Sequence, residues 1–130
     1  MNLVDSCGWI EYVAGTKLGR NYIDPINKIS SLLVPSICIY EVFKKIAHER
    51  DEEEALSIVA NMQMGQIAEL DSRLAIDAAQ ISREHKLPMA DAIVLATGRA
   101  FGATIWTQDS HLKGFPGVKY FSKHDDKDVT

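Results

Sequence analysis

The apolar residues of this chain fall into short continuous runs, which alternate with longer segments in which they recur every three or four positions. The short runs are typical of buried strands, and the longer segments are typical of helices with one apolar face. The predicted strands are Leu3 to Asp5, Leu32 to Val34, Gln66 to Leu70, Thr104 to Thr107 and Val118 to Phe121.

Six helices are predicted between these strands, and capping residues mark several of their ends. Gly15 and Gly102 are expected to stop helices, and Ser36 and Asp71 are expected to start them. Strands that alternate with helices and are apolar throughout predict an α/β fold with a parallel sheet covered on both faces. The predicted helices run through Trp9 to Gly15, from Asn21 to Ile29, from Ser36 to about His48, over 55–62, from Asp71 to near His85, and from Pro88 to Phe101.

Composition limits how much can surround this sheet. The chain has 130 residues, 46% hydrophobic and 25% charged, so a single domain is expected over 1–130, with 122–130 as a flexible tail. No segment approaches the roughly 20 apolar residues of a membrane span, and the N-terminus lacks a signal-peptide pattern. A cytoplasmic protein without membrane contact is therefore expected. Cys7 and Cys38 are too few for a disulfide framework and are expected to be small buried residues.

The net charge of −4 does not exclude a protein that binds nucleic acid, because much of the acid excess is local. One acidic run, 51–54, begins a predicted helix, where the helix dipole favours negative charge. The basic residues considered for phosphate contact are Lys17, Arg20, Lys28, Lys44, Lys45 and Lys113.

Four acidic residues lie where the predicted fold can bring them together. Asp5 ends the first strand, Asp109 follows the fourth, Asp91 lies in the first turn of a helix, and Glu41 lies on another helix. Ligands of open parallel sheets bind beyond the carboxyl ends of the strands. Clustered carboxylates repel one another unless a cation is present, and their hard oxygen ligands favour Mg²⁺ or Mn²⁺. The sequence therefore predicts a divalent cation site, with Asp5 and Asp91 as its most direct ligands.

Each acid taken alone also has an ordinary interpretation. Asp5 can cap a helix, Asp91 can compensate a helix dipole, and Asp109 can be a turn residue. His111, two residues after Asp109, is expected at the surface, with contact to a metal or to RNA left open.

Glu41 fits the cluster least well by periodicity. An apolar stripe is formed by Ile39, Val42, Phe43, Ile46 and Ala47, and Glu41 points away from it, which is typical of a solvated glutamate that pairs with Lys45 at i+4. It can reach a metal if the stripe packs on a second subunit and the polar side of the helix borders the cleft.

The order of these residues resembles that of the PIN-domain nucleases, and within them the VapC toxins of toxin–antitoxin systems. The resemblance is carried by Val4-Asp5-Ser6, by Pro35 to Glu41 followed by Val42 and Phe43, by Ala90-Asp91-Ala92-Ile93, and by Ile105-Trp106-Thr107-Gln108-Asp109. It implies a Rossmann-like α/β/α sandwich around a parallel sheet. The implied activity is that of a Mg²⁺- or Mn²⁺-dependent endoribonuclease.

The resemblance also implies roles for individual residues. Asp5, Glu41, Asp91 and Asp109 match the acidic quartet, which is catalytic and binds the metal, and Ser6 and Thr107 match the hydroxyl positions that support it. The implied partners are RNA, of the transfer or ribosomal class, a cognate antitoxin that blocks the site with a basic side chain, and a second copy of the chain. Cys7 and Gly8 depart from the bulkier residues that are frequent there, which can loosen the first helix.

Two other functions remain open from the residues alone. A phospho-acceptor receiver module also gathers acids on a small α/β sheet, but it needs a second acid beside Asp5 and a lysine after the last strand. The chain has Ser6 and Lys119 near those places. A binding domain that has lost catalysis is the other alternative, although all four acids are present.

Overall fold

The computed structural model describes residues 1–123, and a five-stranded sheet lies at its centre, with every strand pair parallel. The strand order is β3-β2-β1-β4-β5. This confirms the predicted α/β sandwich with a parallel sheet. The strands are β1 Asn2–Val4, β2 Leu32–Pro35, β3 Gln66–Ala68, β4 Thr104–Thr107 and β5 Val118–Tyr120.

The predicted helices all form, although some of their ends differ from expectation. The α-helices are α1 Ser6–Ala14, α2 Ile23–Asn27, α3 Ser36–Glu49, α4 Glu52–Met62, α5 Ser72–His85 and α6 Met89–Phe101. Short 3₁₀ segments cover Leu18–Tyr22, Ile29–Ser31 and Ser110–Leu112. The expected helix from Asn21 to Ile29 is therefore shorter, and 3₁₀ turns flank it.

Capping chemistry accounts for most of the correctly predicted ends. Gly15 and Gly102 stop α1 and α6 in the left-handed conformation, with φ of 69° and 62°. The Asp71 side chain accepts from the backbone N–H of Leu74 and starts α5. Ser36 is not the cap that was predicted, because it is the first helical residue and its Oγ accepts from the backbone N–H of Leu70.

The strand order creates a topological switch point. From β1 the chain builds outward through β2 and β3, and it then returns to place β4 on the other side of β1. Connections leave β1 and β4 in opposite directions, so a crevice opens beyond the carboxyl ends of these two strands. The residues after β1 and β4, which include Asp5 and Asp109, therefore border one crevice.

Helix α1 is packed closely rather than loosened. A Cβ on Gly8 would lie 2.6 Å from ring atoms of Tyr22 and 2.8 Å from Cγ1 of Val4. Tyr22 is fully buried at that contact. Glycine therefore allows the Tyr22 ring to approach α1, and the expectation of a loosened helix is wrong.

Helix α3 buries the apolar face that periodicity predicted, and Cys38 extends that face. Cys38, Val42 and Ile46 point into the core, while Ile39 and Phe43 are partly buried against its edge. Ile46, which was expected to contact a second subunit, is thus part of the chain's own core. Ile39 and Phe43 remain partly exposed, and the homodimer stays a prediction.

Two further expectations concern the ends and the surroundings of the chain. Most of the expected tail, 122–130, lies outside the described residues, which stop at 123. Within the described part, no helix is long and apolar enough to cross a membrane.

Candidate active site

The four acidic side chains meet beyond the carboxyl ends of β1 and β4. Burial is the main cause that raises the pKa values of Asp5, Glu41 and Asp91, and neighbouring negative charges raise them further. The charge of Asp109 acts on all three, and the charge of Asp5 acts on Glu41 and Asp91. The structure therefore places the four predicted carboxylates in one electrostatic cluster.

Asp5 is the most buried member, with 4% of its surface exposed. It occupies the N-cap position of α1, where Oδ1 accepts from the backbone N–H of Ser6 at 2.8 Å. Oδ2 accepts from Oγ1 of Thr107, also at 2.8 Å. Burial raises the pKa of Asp5, and these hydrogen bonds oppose the rise. The helix-cap interpretation and the cluster interpretation of Asp5 thus both describe its geometry.

Thr107 links two of the acids through one hydroxyl group. Its Oγ1 donates to Asp5 and accepts from the backbone N–H of Asp109 at 3.0 Å. Thr107 is completely buried at the end of β4. The hydroxyl therefore fixes the loop after β4 relative to the carboxylate after β1.

Asp91 and Asp109 form a coupled pair. Burial and the hydrogen bond and charge of Asp109 raise the pKa of Asp91 to about 7. Burial acts in the same direction on Asp109, but hydrogen bonds from Asp91 and His111 outweigh it and lower the pKa of Asp109. The two shifts belong to one coupled pair, in which Asp91 holds a proton more tightly than Asp109 does.

His111 faces this pair, although it was expected at the surface. Its Nδ1 lies 2.9 Å from Oδ1 of Asp109 and 3.4 Å from Oδ2 of Asp91. One potential ligand atom from each of the three residues lies within 4.8 Å of the other two. The side chain is nevertheless 57% exposed, so His111 both lies at the surface, as expected, and contacts the two carboxylates.

Glu41 also differs from the simplest expectation. It is half-buried, and its Oε1 accepts from Oγ of Ser6 at 3.0 Å. The predicted ion pair with Lys45 is wrong, because Lys45 pairs with Glu49 at 2.8 Å. The core-facing line of Cys38 and Val42 turns Glu41 toward α1, where Ser6 meets it.

Several residues that support the site were not found by the sequence reasoning. Cys38 is buried as expected, but the Sγ of Cys7 lies 3.6 Å from Oδ2 of Asp5 and 3.5 Å from Oγ1 of Thr107. Burial, and then the charge of Asp5, raises the pKa of the Cys7 thiol to about 12. Cys7 is therefore a neutral neighbour of Asp5 at physiological pH.

A buried hydrogen-bond network lies below the loop after β4. The hydroxyl of Tyr22 donates to Oε1 of Gln108 at 3.1 Å, and Nε2 of Gln108 donates to Glu11 at 3.5 Å. Gln108 is 4% exposed. The network holds the residue between Thr107 and Asp109, and no local pattern points to it because Tyr22 is 86 positions away from Gln108.

The donor set fits a divalent cation. No lysine or arginine within 1–123 forms an ion pair with any of the four acids. Carboxylate oxygens are the ligands that Mg²⁺ and Mn²⁺ prefer, and a bound cation stabilises the charged form of Asp91, which burial and then Asp109 disfavour. Asp91 and Asp109 are the residues best placed to hold such an ion, with His111 beside them.

Comparisons with known proteins identify similar sequences and folds. A family model described as the PIN domain matches residues 3–118. A search of curated proteins finds no match. A chain in a toxin–antitoxin complex from Klebsiella pneumoniae is 19% identical, with 94% of this chain and 99% of that chain covered and a TM-score of 0.79.

Two further solved structures are similar over nearly their whole length. VapBC2 from Rickettsia felis, bound to a DNA fragment from the promoter, is 12% identical over 93% of this chain and 97% of that chain, with a TM-score of 0.70. VapC20 from Mycobacterium tuberculosis, a toxin that cleaves the sarcin-ricin loop, is 14% identical over 98% of this chain and 94% of that chain, with a TM-score of 0.68. At these identities the likeness establishes the fold.

Proposed function

The chain belongs to the PIN domain family, and from that premise we propose that it is a VapC-type toxin: a divalent-metal-dependent endoribonuclease that a cognate antitoxin neutralises. The observation that carries the proposal is the cluster of four carboxylates at the switch point of the sheet, without a lysine or arginine partner in the described part of the chain. Such a cluster is costly for a protein that does not bind a cation.

The surroundings of the four acids give them different proposed roles in binding the cation. Asp91 and Asp109 would hold the cation directly, because their oxygens and Nδ1 of His111 form the compact ligand group. Asp5 is only 4% exposed and both of its oxygens accept hydrogen bonds, so Asp5 would act mainly through water, as would Glu41. This assignment gives Asp109 the direct role that the sequence suggested for Asp5.

A bound divalent cation lowers the pKa of an attacking water and stabilises the charge that develops on the phosphate. Neighbouring residues of the chain hold the carboxylates in position for this reaction. Thr107 keeps Asp5 and Asp109 at a fixed separation, and Ser6 holds Glu41 toward the crevice. The open side of the crevice, where Asp109 and His111 are partly exposed, gives an RNA strand access to the carboxylates.

The proposed substrate is cellular RNA of the transfer or ribosomal class, and the proposed partners are an antitoxin and a second copy of the chain. The similar Klebsiella structure is a toxin–antitoxin complex, and the similar Mycobacterium toxin cleaves the sarcin-ricin loop. A basic antitoxin side chain placed at Asp91 and Asp109 would supply the positive charge that the free site lacks.

No observation favours the phospho-acceptor alternative. Lys119, the lysine near the last strand, lies on β5 with Nζ 4.2 Å from the centroid of the Trp106 ring. Ser6 donates to Glu41 instead of supplying a second acid beside Asp5.

The test uses purified protein, total cellular RNA and separately transcribed transfer RNAs, with Mg²⁺ or Mn²⁺ added, and maps the 5′ ends of the products. We expect discrete new ends with the wild-type chain and cleavage slower by about 100-fold or more with Asp91→Asn, because loss of a ligand removes several kcal/mol of transition-state stabilisation. Asp77→Asn, which changes an aspartate on α5 outside the cluster, is the matched control and should cleave normally. Equal cleavage by the wild type and Asp91→Asn, or cleavage that survives chelation, would contradict the proposal.

A further inference from the structure

His111 is the one nitrogen ligand that the fold brings to the carboxylate cluster within residues 1–123. It lies on the 3₁₀ turn Ser110–Leu112, and its ring is directed at Asp91 and Asp109. We propose that Nδ1 of His111 is a direct ligand of the cation and that it makes the site prefer Mn²⁺ over Mg²⁺. The inference rests on the proposed function only in that it assumes the same cation site.

The distances fit neighbouring ligands of one ion. Ligand atoms at about 2.1 Å from an octahedral cation lie roughly 3 Å apart when they are adjacent. Nδ1 of His111 is 2.9 Å from Oδ1 of Asp109 and 3.4 Å from Oδ2 of Asp91. A cation can therefore be bound by all three residues with small rotations of the side chains.

The backbone of the turn holds His111 in this position. Oδ1 of Asp109 accepts from the backbone N–H of His111 at 2.9 Å, and the backbone N–H of Asp109 donates to Thr107. The next residue, Leu112, is fully buried and anchors the turn in the core. The imidazole is thus attached to a fixed segment, although much of its ring is exposed.

The nitrogen ligand has a consequence for metal choice. Imidazole binds first-row transition ions well, whereas Mg²⁺ strongly prefers oxygen ligands and keeps much of its water. Two carboxylates alone would serve either ion. His111 therefore strengthens the binding of Mn²⁺ much more than the binding of Mg²⁺.

A charge-neutralising role for His111 predicts the opposite result, and a role that only supports Asp109 predicts an equal loss for both ions. If His111 served only to neutralise Asp91 and Asp109, it would compete with the cation for their oxygens. Its removal would then strengthen the binding of both ions. As a ligand, its removal weakens the binding of Mn²⁺, so the two roles differ in the sign of the effect.

The experiment titrates the full chain with MnCl₂ and with MgCl₂ by calorimetry, without RNA. We expect His111→Ala to weaken Mn²⁺ binding by at least about tenfold and Mg²⁺ binding by less than about threefold, since even supporting residues of metal ligands change affinity by about 10- to 100-fold. His48→Ala, which removes an exposed histidine on α3, is the matched control and should change neither. Unchanged or stronger Mn²⁺ binding by His111→Ala would overturn the proposal.

Pulsed electron paramagnetic resonance on the wild-type chain with bound Mn²⁺ gives a second test that needs no variant. A ¹⁴N coupling from a directly bound imidazole is expected, and its absence would refute the ligand assignment. The two proposals fail separately. A chain that gives the nitrogen coupling but cleaves no RNA loses only the proposed function, and a chain that cleaves RNA without the coupling loses only this inference.

Discussion

Removal of the Asp91 carboxylate should stabilise the metal-free protein above neutral pH. The pKa of Asp91 rises from 3.8 to about 7 on folding, chiefly because of burial and then because of Asp109. The folded protein therefore binds this proton more tightly than the unfolded chain does. The contribution of Asp91 to stability is therefore largest below about pH 4 and falls as the pH rises toward about 7, where the folded protein must hold the charge. Asp91→Asn carries no such charge and should not show that loss.

The size of the change in stability follows from the pKa shift of Asp91. A rise of roughly three pKa units, at about 1.4 kcal/mol for each unit, would give an upper bound of roughly 4 kcal/mol. Solvent screening at the open side of the crevice reduces this upper bound, so we expect the free energy of unfolding to fall by about 2 kcal/mol between about pH 5 and pH 8. For a domain of this size, that corresponds to a fall in melting temperature of roughly 6 °C.

The assay is urea denaturation in the presence of a chelator at about pH 5 and about pH 8, with the wild type, Asp91→Asn and the control Asp77→Asn. We expect the free energy of unfolding of the wild type and of Asp77→Asn to fall over this range by about 2 kcal/mol more than that of Asp91→Asn. Added Mn²⁺ at about 100 times its dissociation constant should stabilise the wild type by about 2.7 kcal/mol, and Asp91→Asn by much less. Identical pH dependence in the wild type and Asp91→Asn would refute the reasoning.

Two further predictions concern residues that support the site. Thr107→Val removes the donor to Asp5 and the acceptor for the backbone N–H of Asp109. We expect the free energy of unfolding in urea to fall by about 1.5 to 3 kcal/mol and Mn²⁺ binding in calorimetry to weaken. Thr107→Ser, which keeps the hydroxyl, should restore both the stability and the Mn²⁺ affinity. Wild-type values for Thr107→Val would show that the hydroxyl does not organise the loop. Gly8→Ala places a methyl group against the Tyr22 ring and should cost about 1 to 3 kcal/mol in thermal denaturation, and an unchanged melting temperature would contradict the close contact.

Local signals explain why the element order was predictable. Gly15 and Gly102 have no Cβ and stop helices in the left-handed conformation, and Asp71 caps a helix with its own side chain. Each of these effects involves residues a few positions apart. The parallel sheet followed from short apolar runs separated by helices, and the structure confirms it.

The orientation of Glu41 was harder to predict, because it depends on how far the buried face of α3 extends around the helix. Val42 and Ile46, in the predicted stripe, are buried as expected, but Cys38 is buried beside them and widens the face toward Glu41. Cysteine carries a weak hydrophobic signal, so periodicity leaves Cys38 out of the stripe and places Glu41 in solvent. Its position near Asp5 was supported by the resemblance alone.

The surroundings of the site were the least predictable part. The thiol of Cys7 contacts Thr107, which lies 100 positions away, and His111 contacts Asp91, which lies on a different element. Periodicity describes which side of an element is apolar, but it does not identify which polar groups from distant segments meet. Those contacts depend on how α1, α6 and the loop after β4 pack together.

The switch point has a consequence for when the protein can act. Its two acids next to the sheet, Asp5 and Asp109, come from opposite ends of the chain, and β4 can pair with β1 only after most of the sequence has been made. A nascent chain that is still being translated carries the first carboxylate long before the last. The complete carboxylate cluster, and any cation site built on it, can therefore form only after the segment that follows β4 has been synthesised.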